Sequence, residues 1–425
     1  MFFGPAFGKL VYMQGRSAFR SVRNSLTVLI MPGERNGCKL KMNILLVTMS
    51  LGIGGVETHI SELAKELIKR GNNVCIAANE GIYSETLRAA GAEILILPLD
   101  SRSPKAIVSS YRGLKRYILN RKKQGSQIDL IHAHARIPCM ICGRLHKNFH
   151  GEFHYVTTAH GVYSKLPGEK YITDWGEHSL AVSDDVKKYL VDCYGVSPNN
   201  IDITVNGINT ECFAPAGNDE QVVKITEILG FSSSCRHRVM HVSRIDSASS
   251  DAAYQLIESI PELYKRYSDI EIIIIGDGTE YDALKKKADE MNNLIGRKAV
   301  FLLGARTDIA RILSCGDCFV GVSRAALEAM SCGLPVILAG AQGFFGIFDE
   351  SEESLNTAMR TNFCFRDMES SSSDKLTKAL IEIFGYDKDK LLSMGMNGRN
   401  IVTKYYSVSK MADDAEKMYS SVMKN

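Results

Sequence analysis

The hydrophobic positions of this chain follow two periods in turn. Short apolar runs at 43–49, 74–78 and 94–97 flank a stretch in which Val56, Ile60, Leu63, Ala64, Leu67 and Ile68 recur at helical spacing and stop at Gly71. Apolar runs alternating with amphipathic segments predict βαβ units, hence a parallel sheet wrapped by helices. The pattern continues through Leu130-Ile-His-Ala-His, Tyr155-Val-Thr-Thr-Ala-His and Ser179-Leu-Ala-Val-Ser, each run meeting a polar residue at its carboxyl end. Ligands of such folds gather at those ends. After the Asn206-Gly207 turn signal and Pro215, a polar stretch to about Ser234 predicts a linker. A second series then opens with Val239-Met-His-Val-Ser-Arg and continues through 271–278 and 299–304. The expected fold is α/β, two facing Rossmann-like domains with a central cleft. The expected divisions are a basic extension at 1–41, a first domain at 42–215, a second at 216–404, and a segment at 405–425 whose helix, about 412–423, crosses back onto the first domain.

The stretch VGVSRAALEAMSCGLPVI, 320–337, reads as strand end, turn, helix start, and a Gly333-Leu-Pro335 break into another strand. The unpaired amides of its first helical turn, around Ala325 and Ala326, suit a phosphate, to which the helix dipole adds roughly 0.3–1 kcal/mol per anion. Arg324 can fork onto phosphate oxygens. Glu328, one turn on, can accept hydrogen bonds from the vicinal hydroxyls of a ribose. Taken alone, Arg324 and Glu328 read in preference as an i,i+4 ion pair and nothing more. In the first half, Gly52-Ile-Gly54-Gly55 follows a strand and opens a helix, which suits close backbone approach to an anion. A dinucleotide fingerprint wants a third glycine where Glu57 stands, with Glu80 as its ribose acid. An NAD-type oxidoreductase is therefore the rival class, and it leaves the second half unexplained.

Composition narrows the picture. At 425 residues, with 45% hydrophobic and 23% charged positions, the chain is that of an ordinary globular protein too long for one core. Its apolar runs fall far short of a bilayer span. A formal charge of +3, with no aromatics interleaved in a basic stripe, gives no sign of nucleic-acid binding. Eleven cysteines without a secretory signal point to a reducing compartment. The pairs Cys139/Cys142 and Cys315/Cys318 lie outside zinc-ribbon spacing of each other and read as core thiols. His132-x-His134 on a strand puts two imidazoles on one face, but the third ligand a metal needs is not evident in the sequence. No metal is therefore expected.

In order along the chain, GIGGVETHISELAKELIKRG, DLIHAHARIP, VTTAHGVY, AVSDDVKKYL, ITVNGINTECFAP, HVSRID, IIIIGDG and SRAALEAMSCGLPVI resemble the family 4, group 1 glycosyltransferases of the GT-B type. The resemblance runs from Met42 to the C-terminus. It implies a nucleotide-sugar donor, UDP-linked in the preferred reading, held by the second domain, an acceptor on the first, transfer with retention of configuration, and neither metal nor separate cofactor. Carried over by position, Gly54 and Gly55 approach the donor and His160 stands near the reacting sugar. Arg244 meets the pyrophosphate, Gly278 lines the donor side with Arg324, Ala325 and Ala326, and Glu328 holds the ribose. The catalytic set is His160, Arg244 and Glu328. Two departures touch the donor site: the family's first acid falls at Val320, and the lysine five residues beyond the arginine falls at Ser249. A catalytically silent member that binds nucleotide sugar or a partner is the alternative.

The stretch 104–125 reads as a helix with Ile107, Tyr111, Leu114 and Ile118 on one side and Arg112, Lys115, Arg116, Arg121, Lys122 and Lys123 elsewhere. Its two readings are a helix packed on the sheet with solvated charges, which is preferred, and a contact with anionic membrane. The membrane reading bears on the acceptor, expected to be a glycan or lipid-linked, and on a cytoplasmic location peripheral to the inner membrane face. Residues 1–41, with seven basic side chains against Glu34, are an upstream stretch wrongly included in the frame, an organelle presequence or a basic arm; the first is preferred.

Overall fold

The computed structural model describes residues 41–424 except 53, 163–171, 218, 350, 362 and 365–368. The basic extension expected over 1–41 lies outside them but for Lys41. Among the described residues, strands β1 (Asn43–Ser50), β2 (Asn73–Asn79), β3 (Glu93–Ile96), β4 (Leu130–His134), β5 (His154–Ala159), β6 (His178–Ala181) and β7 (Ile201–Ile203) form a parallel sheet ordered β3-β2-β1-β4-β5-β6-β7. A second sheet holds β8 (Arg238–Val242), β9 (Glu271–Ile275), β10 (Val300–Leu302), β11 (Cys318–Gly321), β12 (Val336–Gly340) and β13 (Gly343–Ile347) in the order β10-β9-β8-β11-β12-β13. Among these described strands only β13 runs antiparallel, as an edge strand on β12. Helices cover both faces of each sheet, so the central strands are buried on both sides: Ile44, Leu45, Leu46 and Val47 of β1 are all core. This is why they read as unbroken apolar runs rather than as alternation.

Strand order reverses beside the first strand of each sheet, between β1 and β4 and between β8 and β11. At such switch points the loops part and leave a crevice at the carboxyl ends of the strands. Ala135 leaves β4 with φ 70° and Ser323 leaves β11 with φ 57°. Left-handed backbone at a non-glycine costs on the order of 1–3 kcal/mol and collects where geometry serves function. Both crevices carry it.

The last helix, Val408–Val422, begins earlier than its apolar pattern suggests, because Ser407 caps it by accepting from the Lys410 amide at 3.2 Å. It buries Met411, Ala412, Ala415, Met418, Tyr419 and Val422 against the core of the first domain, beside the helix Gly55–Lys69. Arg70 holds it there, its guanidinium bonded to Glu66, Asp413, Glu416 and Ser409. The chain reaches this helix alongside Ile208, whose amide donates to Tyr406 O at 2.7 Å and whose carbonyl accepts from Val408 at 3.0 Å. Gly207 is needed at this crossing, since a Cβ there would sit 2.8 Å from Val408 Cα. In the second domain the helix Ser323–Ser331 packs on the helix Lys388–Tyr405, where a Cβ on Gly395 would overlap the Gly333 carbonyl.

Candidate active site

The donor-side residues expected from sequence converge at the β8/β11 switch point. Glu328 is buried on the helix Ser323–Ser331, and its Oε1 accepts from Arg324 Nε at 2.8 Å. Burial raises the Glu328 carboxyl above the usual glutamate value, against the pull of the Arg324 charge. Ala325 and Ala326 occupy the first turn of the same helix, beside Arg324. Arg244 follows β8 with 84% of its side chain exposed and Nε 3.8 Å from Asp246 Oδ2, so it is free to swing onto an anion. Ser249, which stands where the family carries a lysine, instead ties this loop: its hydroxyl bonds Arg244 O at 3.0 Å and Asp246 Oδ1 at 2.6 Å. Gly278, at φ 156°, packs where a Cβ would overlap the Ile245 carbonyl, so it fixes the backbone beside Arg244. Val320 is buried in β11, and its carbonyl accepts from His241 Nδ1 at 2.8 Å.

At the first switch point, Gly54 precedes the helix Gly55–Lys69, and a Cβ on Gly55 would meet nothing within 4 Å. That open space permits close approach of a ligand. Glu57 turns back toward Ser50, whose hydroxyl lies 3.3 Å from its Oε1.

His160, at the end of β5, belongs to a histidine cluster that sequence spacing did not assemble. His134 Nδ1 and His160 Nε2 are 2.9 Å apart. His132, tilted against His134 at 4.2 Å between ring centroids, bonds Tyr419 OH at 2.8 Å and Thr158 Oγ1 at 2.7 Å. His59 lies edge-on to His160 at 4.6 Å, with its Nδ1 3.2 Å from Asn206 Oδ1. Burial lowers the basicity of all four imidazoles, His59 to about 4 and His132 to about 3, so they are neutral at neutral pH. Nearby Arg324 adds to this at His59.

One line of contacts joins the two domains here. His59 bonds Asn206, the next residue Gly207 accepts from Arg324 Nη1 at 3.3 Å, and Arg324 bonds Glu328. Asn209 adds a bond to Glu62 Oε2 at 2.9 Å. Beyond His132-x-His134 and His160, sequence carries one further signal of this cluster, since His59 falls on the apolar face defined by Val56, Ile60 and Leu63. Asn206 read only as a turn.

Residues 53–212 match Glycosyltransferase Family 4, and residues 236–379 match Glycosyl transferases group 1. The chain is 25% identical over 423 residues to a component of the human phosphatidylinositol N-acetylglucosaminyltransferase, covering 92% of this chain and 79% of that one. It is 27% identical over 346 residues to the Escherichia coli UDP-Gal:alpha-D-GlcNAc-diphosphoundecaprenol alpha-1,3-galactosyltransferase, covering 76% and 80%. In fold it resembles a glycosyltransferase from Rickettsia africae (TM-score 0.71, 20% identity, 91% of this chain and 100% of that one) and Anabaena HepE in complex with UDP (TM-score 0.67, 16% identity, 89% and 100%). The protein belongs to the GT-B glycosyltransferases of family 4, group 1, enzymes that take nucleotide-sugar donors.

That membership sets aside the oxidoreductase alternative. Glu80, its ribose acid, is largely exposed and pairs with Arg88 at 3.1 Å. Both Cys-x-x-Cys pairs are buried thiols whose ionisation burial opposes, Cys139 being pushed up to about 12. Among the described residues no helix is long and apolar enough to cross a membrane.

Proposed function

We propose that this glycosyltransferase takes a hexose-type sugar from a UDP-linked donor and passes it, with retention of configuration, to a glycan or lipid-linked acceptor at the cytoplasmic face of a membrane. The observation that carries the donor half is the pairing of Arg324 with buried Glu328 at the start of the helix leaving β11. Cleaving the bond from sugar to phosphate builds negative charge on the departing diphosphate. Arg324, Arg244 and the amides at Ala325 and Ala326 are cations and dipoles at the β8/β11 switch point that can turn to that charge, and removing one such group costs on the order of 3 kcal/mol, about a hundredfold in rate. Neutral His160 offers the sugar a hydrogen bond without a second cation. In this reading Glu328 holds the ribose, Gly54 and Gly55 approach the donor from the first domain, and the reaction uses neither metal nor separate cofactor.

Two relatives act, by name, on lipid-borne acceptors, a phosphatidylinositol and a diphosphoundecaprenol. The helix Pro104–Lys123 supports a membrane-side acceptor: it buries Leu114 and Ile118 and turns Lys105, Val108, Arg112, Lys115, Arg116 and Leu119 outward, without one acidic residue. A groove of about 640 Å³ runs along it, lined by Pro104, Lys105, Val108, Ser109, Arg112, Gly113 and Arg116. Cosedimentation with anionic but not zwitterionic vesicles tests the contact.

The alternative, a silent family member, draws on Val320 and Ser249, where the family's acid and lysine are absent. Hydrolysis of a panel of nucleotide sugars decides between the two and identifies the base. Turnover of a UDP-sugar supports the enzyme reading; binding of UDP without turnover of any donor supports the silent one.

A further inference from the structure

We propose that His59, His134 and His160 form a binding site for one zinc-class divalent ion, and that its occupancy withdraws His160 from the sugar. The sequence offered His132-x-His134 and no third ligand. The fold supplies ligands from three separate segments, the helix Gly55–Lys69, β4 and the exit of β5, and leaves His132 to bond Tyr419 and Thr158. One ring nitrogen from each of His59, His134 and His160 lies within 4.8 Å of the others. Ligand nitrogens on a tetrahedral zinc, at about 2.0–2.1 Å from the metal, stand about 3.3 Å apart. His134 Nδ1 and His160 Nε2, already 2.9 Å apart, need only a small separation for an ion to replace the proton between them.

His59 is held in the form a ligand requires. Its Nδ1 faces the Asn206 amide oxygen, an acceptor, so the proton sits on Nδ1 and the Nε2 lone pair is left for the ion. His134 is wholly buried and turns Nδ1 to His160, so Nδ1 is the atom it offers the ion. Three neutral imidazoles suit zinc, copper and nickel rather than magnesium or calcium, which take oxygen ligands. With no carboxylate among the three, the ion keeps its charge and needs an anion or water in its fourth position.

Binding at the three histidines stands independently of the proposed reaction; the withdrawal of His160 rests on its place beside the sugar. The full chain, stripped with chelator, is titrated with Co²⁺, whose ligand-field absorption reports tetrahedral nitrogen coordination, and Zn²⁺ then displaces it. One equivalent is expected. His59→Ala and His134→Ala should each weaken binding at least about a hundredfold, since even losing a partner behind a ligand costs roughly ten- to a hundredfold. His178→Ala, outside the cluster, should not. X-ray absorption of the zinc-loaded wild-type chain needs no variant to fold, and a shell of three imidazoles is expected. No saturable binding, unchanged affinity in both variants, or a sulfur shell overturns the site. If zinc binds at these residues and UDP-sugar turnover is unaffected, the site stands and the withdrawal of His160 falls, together with its role at the sugar. Loss of turnover in the zinc form, restored by chelator, supports both.

Discussion

Arg324 and Glu328, which the sequence assigns to the phosphate and the ribose of one nucleotide, are bonded to each other at 2.8 Å. The pair resolves the two readings of Arg-x-x-x-Glu only in part. An i,i+4 ion pair exists, but it is not the exposed kind worth a few tenths of a kcal/mol: Glu328 is buried and Arg324 also reaches the Gly207 carbonyl. In the proposed donor complex a nucleotide gives Glu328 two neutral hydroxyl donors and Arg324 an anionic acceptor, so Arg324 exchanges one charged partner for another and Glu328 keeps two hydrogen bonds in place of its ion pair.

Glu328→Gln should therefore weaken UDP binding roughly ten- to a hundredfold, the loss of a charge-assisted hydrogen bond of about 1.5–3 kcal/mol. Calorimetry with UDP measures it. Unchanged affinity would remove Glu328 from the pocket and leave it as the partner of Arg324 alone.

The same carboxyl predicts a pH dependence. Burial raises its pKa, so on acidification it protonates earlier than an ordinary glutamate of 4.5. Ribose hydroxyls donate to the ionised form; UDP affinity should then be full at neutral pH and fall as pH drops through a midpoint above 4.5. Because the ligand favours the carboxylate, that midpoint should lie lower in the complex than in the free protein. Titrations across this range with wild type and Glu328→Gln would show the slope in the first and not in the second.

In the proposed donor complex Arg244 reaches the diphosphate from the loop after β8, exposed and loosely held, and Arg324 from the first turn of the helix Ser323–Ser331, half-buried and engaged. Replacing each by a neutral residue should slow transfer strongly, on the order of a hundredfold. The double substitution should cost less than the sum, as expected for groups sharing one anion. Strict additivity, or a fully active Arg324→Ala protein, would count against the shared role.

Parallel strands buried on both faces wrote themselves into the sequence as apolar runs, and their polar ends located both crevices. Arg324 and Glu328 were legible because four residues of helix place them on one face. The histidine cluster was not. His59, His134 and His160 lie on three segments whose meeting depends on sheet order β1-β4-β5, and local periodicity does not record which strands become neighbours. Tyr419 was hidden for the same reason, coming from the far end of the chain to reach His132. The β13 edge strand has a different cause: Gly343 and Gly346 dilute its apolar pattern.

Tyr419 carries the last prediction, since its hydroxyl ties the C-terminal helix to the histidines by a hydrogen bond to His132. His132 Nδ1 bonds that hydroxyl and Nε2 bonds Thr158, on β5 two residues before His160. Tyr419→Phe leaves the ring in the core and deletes one partner of a wholly buried imidazole, which costs about 1–3 kcal/mol. A lower melting temperature is expected, and with it a lower kcat at nearly unchanged KM for donor, because the proposed nucleotide contacts, Arg244, Arg324 and Glu328, lie on the other domain while the disturbed network borders His160. Nitrogen chemical shifts of the imidazoles would report a changed tautomer at His132. A Tyr419→Phe protein with wild-type kcat and unaltered shifts would confine the hydroxyl to packing, and a KM effect alone would place its influence on the donor side.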